Sequence, residues 1–155
     1  MISCRQPFKR VERGLAGNGQ PSTTREISRR MARVRRSGTE PELVVRRALS
    51  KLGIRYRLKN RDLPGNPDIA NRARKFVVFV HGCFWHRHKG CIRSTTPKTN
   101  TSFWRAKFVK NVARDATAVK SLRRMGYRVV TLWECEVGNP RLISRRLAFV
   151  VGGSI

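Results

Sequence analysis

Acid is what this chain has least of. Nine aspartates and glutamates stand against 35 lysines and arginines, a formal net charge of +26 on 155 residues with an isoelectric point near 11.8. Arginine outnumbers lysine 26 to 9, and a coding bias could explain that choice, but not the missing acids. Such a field draws in polyanions, so nucleic acid is the first expectation. An anionic membrane is the competitor, yet no long apolar helix face carries a basic stripe. Long hydrophobic runs are also missing. Nowhere do about 18 apolar residues follow one another, and Met1–Arg10 holds no stretch of signal-peptide length. A soluble, intracellular, cytoplasmic protein is expected. Four cysteines in a reducing compartment favour thiols or metal ligands over disulfides. There is no internal repeat, and the length suits one folded domain.

Residues 1–24 are basic, rich in Gly, Ser, Thr, Pro and Gln, and show little periodicity. They read as a flexible basic arm, either tracking DNA phosphates or of no consequence. Residues 25–155 read as the domain. A basic segment, Arg25–Arg36, places Ile27, Met31 and Val34 at helical spacing. Thr39-Glu40-Pro41-Glu42 fits a capping box that opens a helix presenting Val45, Ala48, Leu49 and Leu52 and ending near Gly53. Ile54, Tyr56 and Leu58 alternate with arginines, predicting a half-buried strand. Leu63–Pro67 is a turn, Asp68-Ile69 begins a strand, and Phe76–Val80 predicts a central strand buried on both faces. A helical stretch follows from about Ser102 to Met125, expected to bend or break along its length. Arg128–Trp133 predicts another buried strand with Trp133 in the core, and Pro140–Val150 a last helix. The order describes a small α/β domain.

Histidine is scarcer still, and its placing is informative. All three histidines and two of the four cysteines fall in His81-Gly82-Cys83-Phe84-Trp85-His86-Arg87-His88-Lys89-Gly90-Cys91. His81 and His86 stand where a general base or acid is needed, since imidazole exchanges protons near neutrality. Cys83, His88 and Cys91 have the spacing of a zinc knuckle, and Cys135 is the obvious fourth ligand. Four protein ligands leave no open position, so the zinc would be structural; the alternative is a set of buried thiols. Cys4, in the arm, is a poor candidate. Phe84, Trp85 and Trp104 are the aromatics suited to wedging between bases, or else to filling a core.

Between Glu42 and Asp115 the acids are Asp62 and Asp68 alone. Asp68 follows Pro67 at a strand edge, where a lone carboxylate in a basic protein suits Mg²⁺. Mg²⁺ on a phosphate oxygen would stabilise the charge that builds during phosphodiester cleavage. The plainer reading is a turn aspartate that caps backbone N–H groups.

Taken together, these residues resemble the very-short-patch repair (Vsr) DNA mismatch endonucleases from about Ile27 to Ala148. The likeness is carried by the Thr39–Leu52 helix, Leu63–Asp68, Phe79–His86, Phe103-Trp104, Lys110–Asp115 and Trp133-Glu134-Cys135. The resemblance implies a restriction-endonuclease-like core, a central mixed sheet flanked by helices, with a structural zinc site. Histidines would replace the second carboxylate and lysine of that fold's usual active site. By position, Asp68 would bind Mg²⁺ with help from the Val80 backbone carbonyl. His86 would activate water, His81 would assist at the scissile phosphate, and Glu42 and Asp115 would orient them. Cys83, His88, Cys91 and Cys135 would hold Zn²⁺. Phe84, Trp85 and Trp104 would wedge beside the mismatch, Asn111 would contact DNA, and Met31 would probe the other groove.

The function so implied is Mg²⁺-dependent nicking 5′ to the thymine of a T:G mismatch, the product of 5-methylcytosine deamination, to initiate very short patch repair. The expected partner of this monomer is double-stranded DNA in the bacterial nucleoid, with other mismatch-repair proteins as further candidates. The spacer His88–Cys91 is one residue longer than in some relatives, and the N-terminal arm is unusually long. Two other functions stay open: a restriction-associated endonuclease cutting matched DNA, and a zinc-stabilised DNA-binding module without catalysis.

Overall fold

The computed structural model describes residues 37–151, together with Arg29. The expected arm, the basic segment 25–36 and Met31 therefore lie outside the described residues. Helix α1 is Glu40–Lys51, strand β1 Ile69–Asn71, β2 Phe76–His81, helix α2 Thr101–Arg124, β3 Arg128–Trp133 and helix α3 Pro140–Val151. The strands form one mixed sheet in the order β1-β2-β3, with β1 antiparallel and β3 parallel to β2. A parallel pair needs a crossover, and α2 supplies it.

The apolar run Phe76–Val80 is central, as expected, because both faces of the sheet are covered. Side chains alternate along a strand. Phe76 and Val78 join Val130 and Leu132 beneath Val45 and Leu49 of α1 and Ile143 and Leu147 of α3. On the other face, Val77 and Phe79 pack against Ala118 and Leu122 of α2. Continuing the alternation, His81 turns toward α2.

Four expectations are corrected. Residues 54–58 form no strand, only one bridge between Arg57 and Ala70. β1 is too short to carry a longer ladder, and the chain turns away at Lys59, whose φ is 56°. Leu52 sits past the last turn of α1 and is 40% exposed. The third correction is α2, which is unbroken over 24 residues. Its inward stripe runs Trp104, Phe108, Asn111, Asp115, Ala118, Leu122, at helical spacing. Polar residues in the middle interrupt the apolar pattern without interrupting the helix. Trp133 is the fourth: it is only half-buried and lies among histidines instead of in the core.

The turn before β1 touches α2 closely. Gly65 has φ +75°, and a Cβ there would lie 2.5 Å from the Ala118 Cβ. Glycine is required twice over, by backbone conformation and by space.

Candidate active site and Cys/His centre

Among the described residues, the histidines and the Cys/His donors collect where β2 and β3 end. The two strands stop in register, His81 opposite Trp133. The His81 carbonyl accepts the Glu134 N–H at 2.9 Å, so the backbone groups of Val80, one residue back, face the opposite edge. Asp68 waits there, just before β1, and its Oδ2 accepts the Val80 N–H at 2.7 Å. Burial pushes Asp68 up to about 6, with Glu42 adding to the rise and the Val80 N–H opposing it. A desolvated carboxylate at a strand edge that also turns a carbonyl outward fits a hard cation.

Glu42, expected to orient water or a histidine, is 4% exposed and well partnered. It accepts the Gly38 N–H at 2.9 Å, the Thr39 N–H at 3.4 Å, the Thr39 hydroxyl at 2.9 Å and the Arg46 guanidinium at 2.8 Å. It closes the N-terminus of α1, and its charge adds to the rise at Asp68 while Arg46 opposes it.

On the α2 side, His81 and His86 stack with ring centroids 3.9 Å apart and planes 10° apart. His86 Nδ1 meets Asp115 Oδ2 at 2.5 Å. Burial would raise Asp115, but the His86 hydrogen bond and the charges of His86, His81 and Arg114 hold it below the usual carboxylate range. His81 is pushed down to about 4, by burial first and then by His86, so near neutrality it is an uncharged imidazole. Ligand atoms of His81, His86 and Asp115 lie within 4.8 Å of one another. An imidazole oriented by a carboxylate is built to move a proton. The catalytic candidates thus form two groups, Asp68 with Glu42 and the His81–His86–Asp115 cluster, joined by the Val80-His81 backbone.

The Cys/His set also comes together. Donor atoms of Cys83, His88, Cys91 and Cys135 lie within 4.8 Å of one another. His88 Nδ1 is 3.2 Å from Cys135 Sγ and 3.7 Å from Cys83 Sγ. Tetrahedral zinc spaces its sulfur and nitrogen ligands about 3.5–3.8 Å apart, so the set fits zinc with little adjustment. Burial pushes the Cys83 thiol up to about 11, and a bound cation would reverse that by coordinating the thiolate.

The expected wedge residues form an aromatic wall beside the histidines. Phe84 meets Trp85, Trp104 and Phe108 edge-on at 5.1, 5.5 and 5.2 Å. Trp104 is 5% exposed, whereas its neighbour Phe103 is 57% exposed. Asn111 donates its amide to the Trp85 carbonyl at 3.0 Å, tying this loop to α2. Sequence reasoning missed Lys107, whose Nζ lies 5.3 Å from the Trp85 ring and 5.5 Å from that of Trp104. Its spacing of three from Trp104 on one helix was the signal.

Residues 22–93 match the family described as DNA mismatch endonuclease Vsr. The chain is 41% identical over 124 residues to the type II nicking enzyme V.XorIIP of Xanthomonas oryzae pv. oryzae, covering 80% of this chain and 90% of that one. This chain belongs to the Vsr endonuclease family. It is also 40% identical over 125 residues to the type II nicking enzyme V.NmeAIP of Neisseria meningitidis serogroup A, covering 81% and 89%. Against the DNA mismatch endonuclease Vsr of Escherichia coli the identity is 39% over 100 residues, 64% of each chain. In this Vsr family member, the matched span 22–93 holds Glu42, Asp68 and the whole His81–Cys91 run. Trp104, Asn111, Asp115 and Cys135 lie beyond that span and reach the site through the fold.

Proposed function

We propose that this DNA endonuclease nicks one strand of a duplex 5′ to the thymine of a T:G mismatch, by Mg²⁺-dependent hydrolysis, within a restriction-endonuclease-like core. The observation that carries the reading is the His81–His86–Asp115 cluster, set one peptide unit from the Asp68-bound Val80 and walled by aromatics. Asp68 and the Val80 carbonyl would hold Mg²⁺, which supplies charge stabilisation at the phosphate when bound. His86, oriented by Asp115, takes the proton of the attacking water. His81, neutral and stacked on His86, lies alongside the phosphate. Cys83, His88, Cys91 and Cys135 would hold Zn²⁺ with no open position, tying the exits of β2 and β3 together. Phe84, Trp85 and the charge of Lys107 suit an unstacked, mismatched step, because a mismatch lowers the cost of unstacking. Trp104, mostly buried, backs that wall, with Asn111 holding its loop. A single His81–His86–Asp115 cluster among the described residues suits one cut per encounter, in keeping with nicking.

A second reading, a restriction-associated endonuclease that cuts matched DNA, stands beside it because two relatives are named as type II nicking enzymes. Asp68→Ala separates catalysis from binding. Cleavage is expected to fall by at least about a hundredfold, while the gel-shift Kd for T:G duplex stays within about threefold. Undiminished nicking by that variant would remove Asp68 from the mechanism.

A further inference from the structure

His81 is the one member of the proposed cluster whose ring no hydrogen bond fixes. Among the described residues its ring accepts and donates none, although it is only 8% exposed. Three rings hold it instead. Phe79 lies at 5.6 Å, His86 is stacked at 3.9 Å, and Trp133 presents its indole at 5.4 Å and 72°. Trp133 faces two ways. Its other contact is with His88, stacked at 4.3 Å with planes 7° apart. A continuous series of rings therefore runs His86, His81, Trp133, His88. It is pinned at one end by Asp115 and at the other by the donor set Cys83, Cys91 and Cys135. The Trp133 backbone is fixed as well. Its N–H donates to Glu136 Oε2 at 3.0 Å, and Glu136 is bonded to Arg146 at 2.8 Å.

We infer that Trp133 is a positioning residue, which transmits the geometry of the Cys/His centre to His81 and so sets the catalytic imidazole in place. The inference rests on the reading of His81 as a residue of the reaction. A flat, rigid indole can fix the tilt of a neighbouring imidazole, whereas an aliphatic side chain fills space without fixing it. A ring held by packing alone is sensitive to its walls, and misplacing a reacting group by about 1 Å costs on the order of a hundredfold in rate. The Cys/His centre, by this account, contributes to catalysis beyond holding the fold.

The test uses full-length protein, zinc-loaded where it binds zinc, and three variants. Trp133→Leu is expected to lower the single-turnover nicking rate on a T:G duplex by about tenfold or more. Its duplex Kd and zinc content should stay at wild-type values. Trp133→Phe, which keeps a flat ring, should return the rate to within about threefold of wild type. His88→Cys keeps four zinc donors but removes the ring behind Trp133; zinc is retained, the rate falls, and the ¹⁵N signals of the His81 ring shift. Wild-type rates in Trp133→Leu and His88→Cys overturn the inference. So does loss of zinc together with activity in Trp133→Leu, since Trp133 would then only support the centre. His81→Ala serves as the control: if it nicks normally, the reading of the active site is what fails, and the role of Trp133 falls with it.

Discussion

At the scale of single residues, the chemistry depends on how few partners each group has. His86 owes its orientation to one carboxylate, Asp115, at 2.5 Å. Asp115→Asn keeps the shape but exchanges an acceptor-only group for an amide, which can no longer hold the His86 Nδ1–H in one fixed tautomer. Single-turnover nicking should fall by about a hundredfold, in the range typical of general acid–base catalysis, with duplex affinity unchanged. A rate within about twofold of wild type would mean that His86 works without Asp115. Glu42 behaves differently. With two backbone N–H groups, a hydroxyl and a guanidinium around it, this carboxylate is first a helix cap, and its effect on Asp68 comes through charge.

Among elements, the contact between the 63–67 turn and α2 is the tightest constraint on the site, because α2 also carries Asn111 and Asp115. Gly65→Ala forces a positive φ on a side chain and drives a Cβ to 2.5 Å from that of Ala118. Overpacking of this kind should lower stability by about 1–3 kcal/mol, read as a lower urea midpoint at unchanged m-value. An unchanged midpoint would show that the turn and helix separate freely. Much at this scale was legible in the sequence. The capping box at Thr39–Glu42, the doubly covered strand at Phe76–Val80 and the start of the last helix at Pro140 each follow from local chemistry. The Cys/His quartet was legible too, since donor type and spacing constrain a metal centre strongly. The misreadings share a cause, which is that tertiary contacts reassign a residue's face. Asn111 and Asp115 made α2 look broken only because a polar site sits on its buried stripe. Trp133 looked like core because its strand is apolar, but strand ends lie where loops gather. Leu58 alternates correctly, yet β1 offers its segment a single bridge. The spacing of three sets Lys107 beside Trp104, but its place over the Trp85 ring depends on how the loop packs against α2.

The whole molecule carries a formal charge of +26, and the two long strands of its small sheet end in one place. Among the described residues no helix is long and apolar enough to cross a membrane, and the basic field is suited to a DNA backbone. Zinc held by Cys83, His88, Cys91 and Cys135 would tie the two strand exits together. Metal analysis should find about one zinc per chain by the four-ligand count. Stripping it with a chelator should lower Tm by more than about 5 °C. Protein free of zinc, with a Tm indifferent to chelation, would leave the quartet as a thiol cluster. Nicking of end-labelled duplexes with Mg²⁺ separates a mismatch endonuclease from the other two readings. The duplexes should differ only in carrying a T:G mismatch or a T:A pair, in the context CT(A/T)GG and in several others. The expected result is a single nick 5′ to the mispaired thymine and none in the T:A control. Equal cleavage of the matched duplex, or binding without any cut, would contradict it.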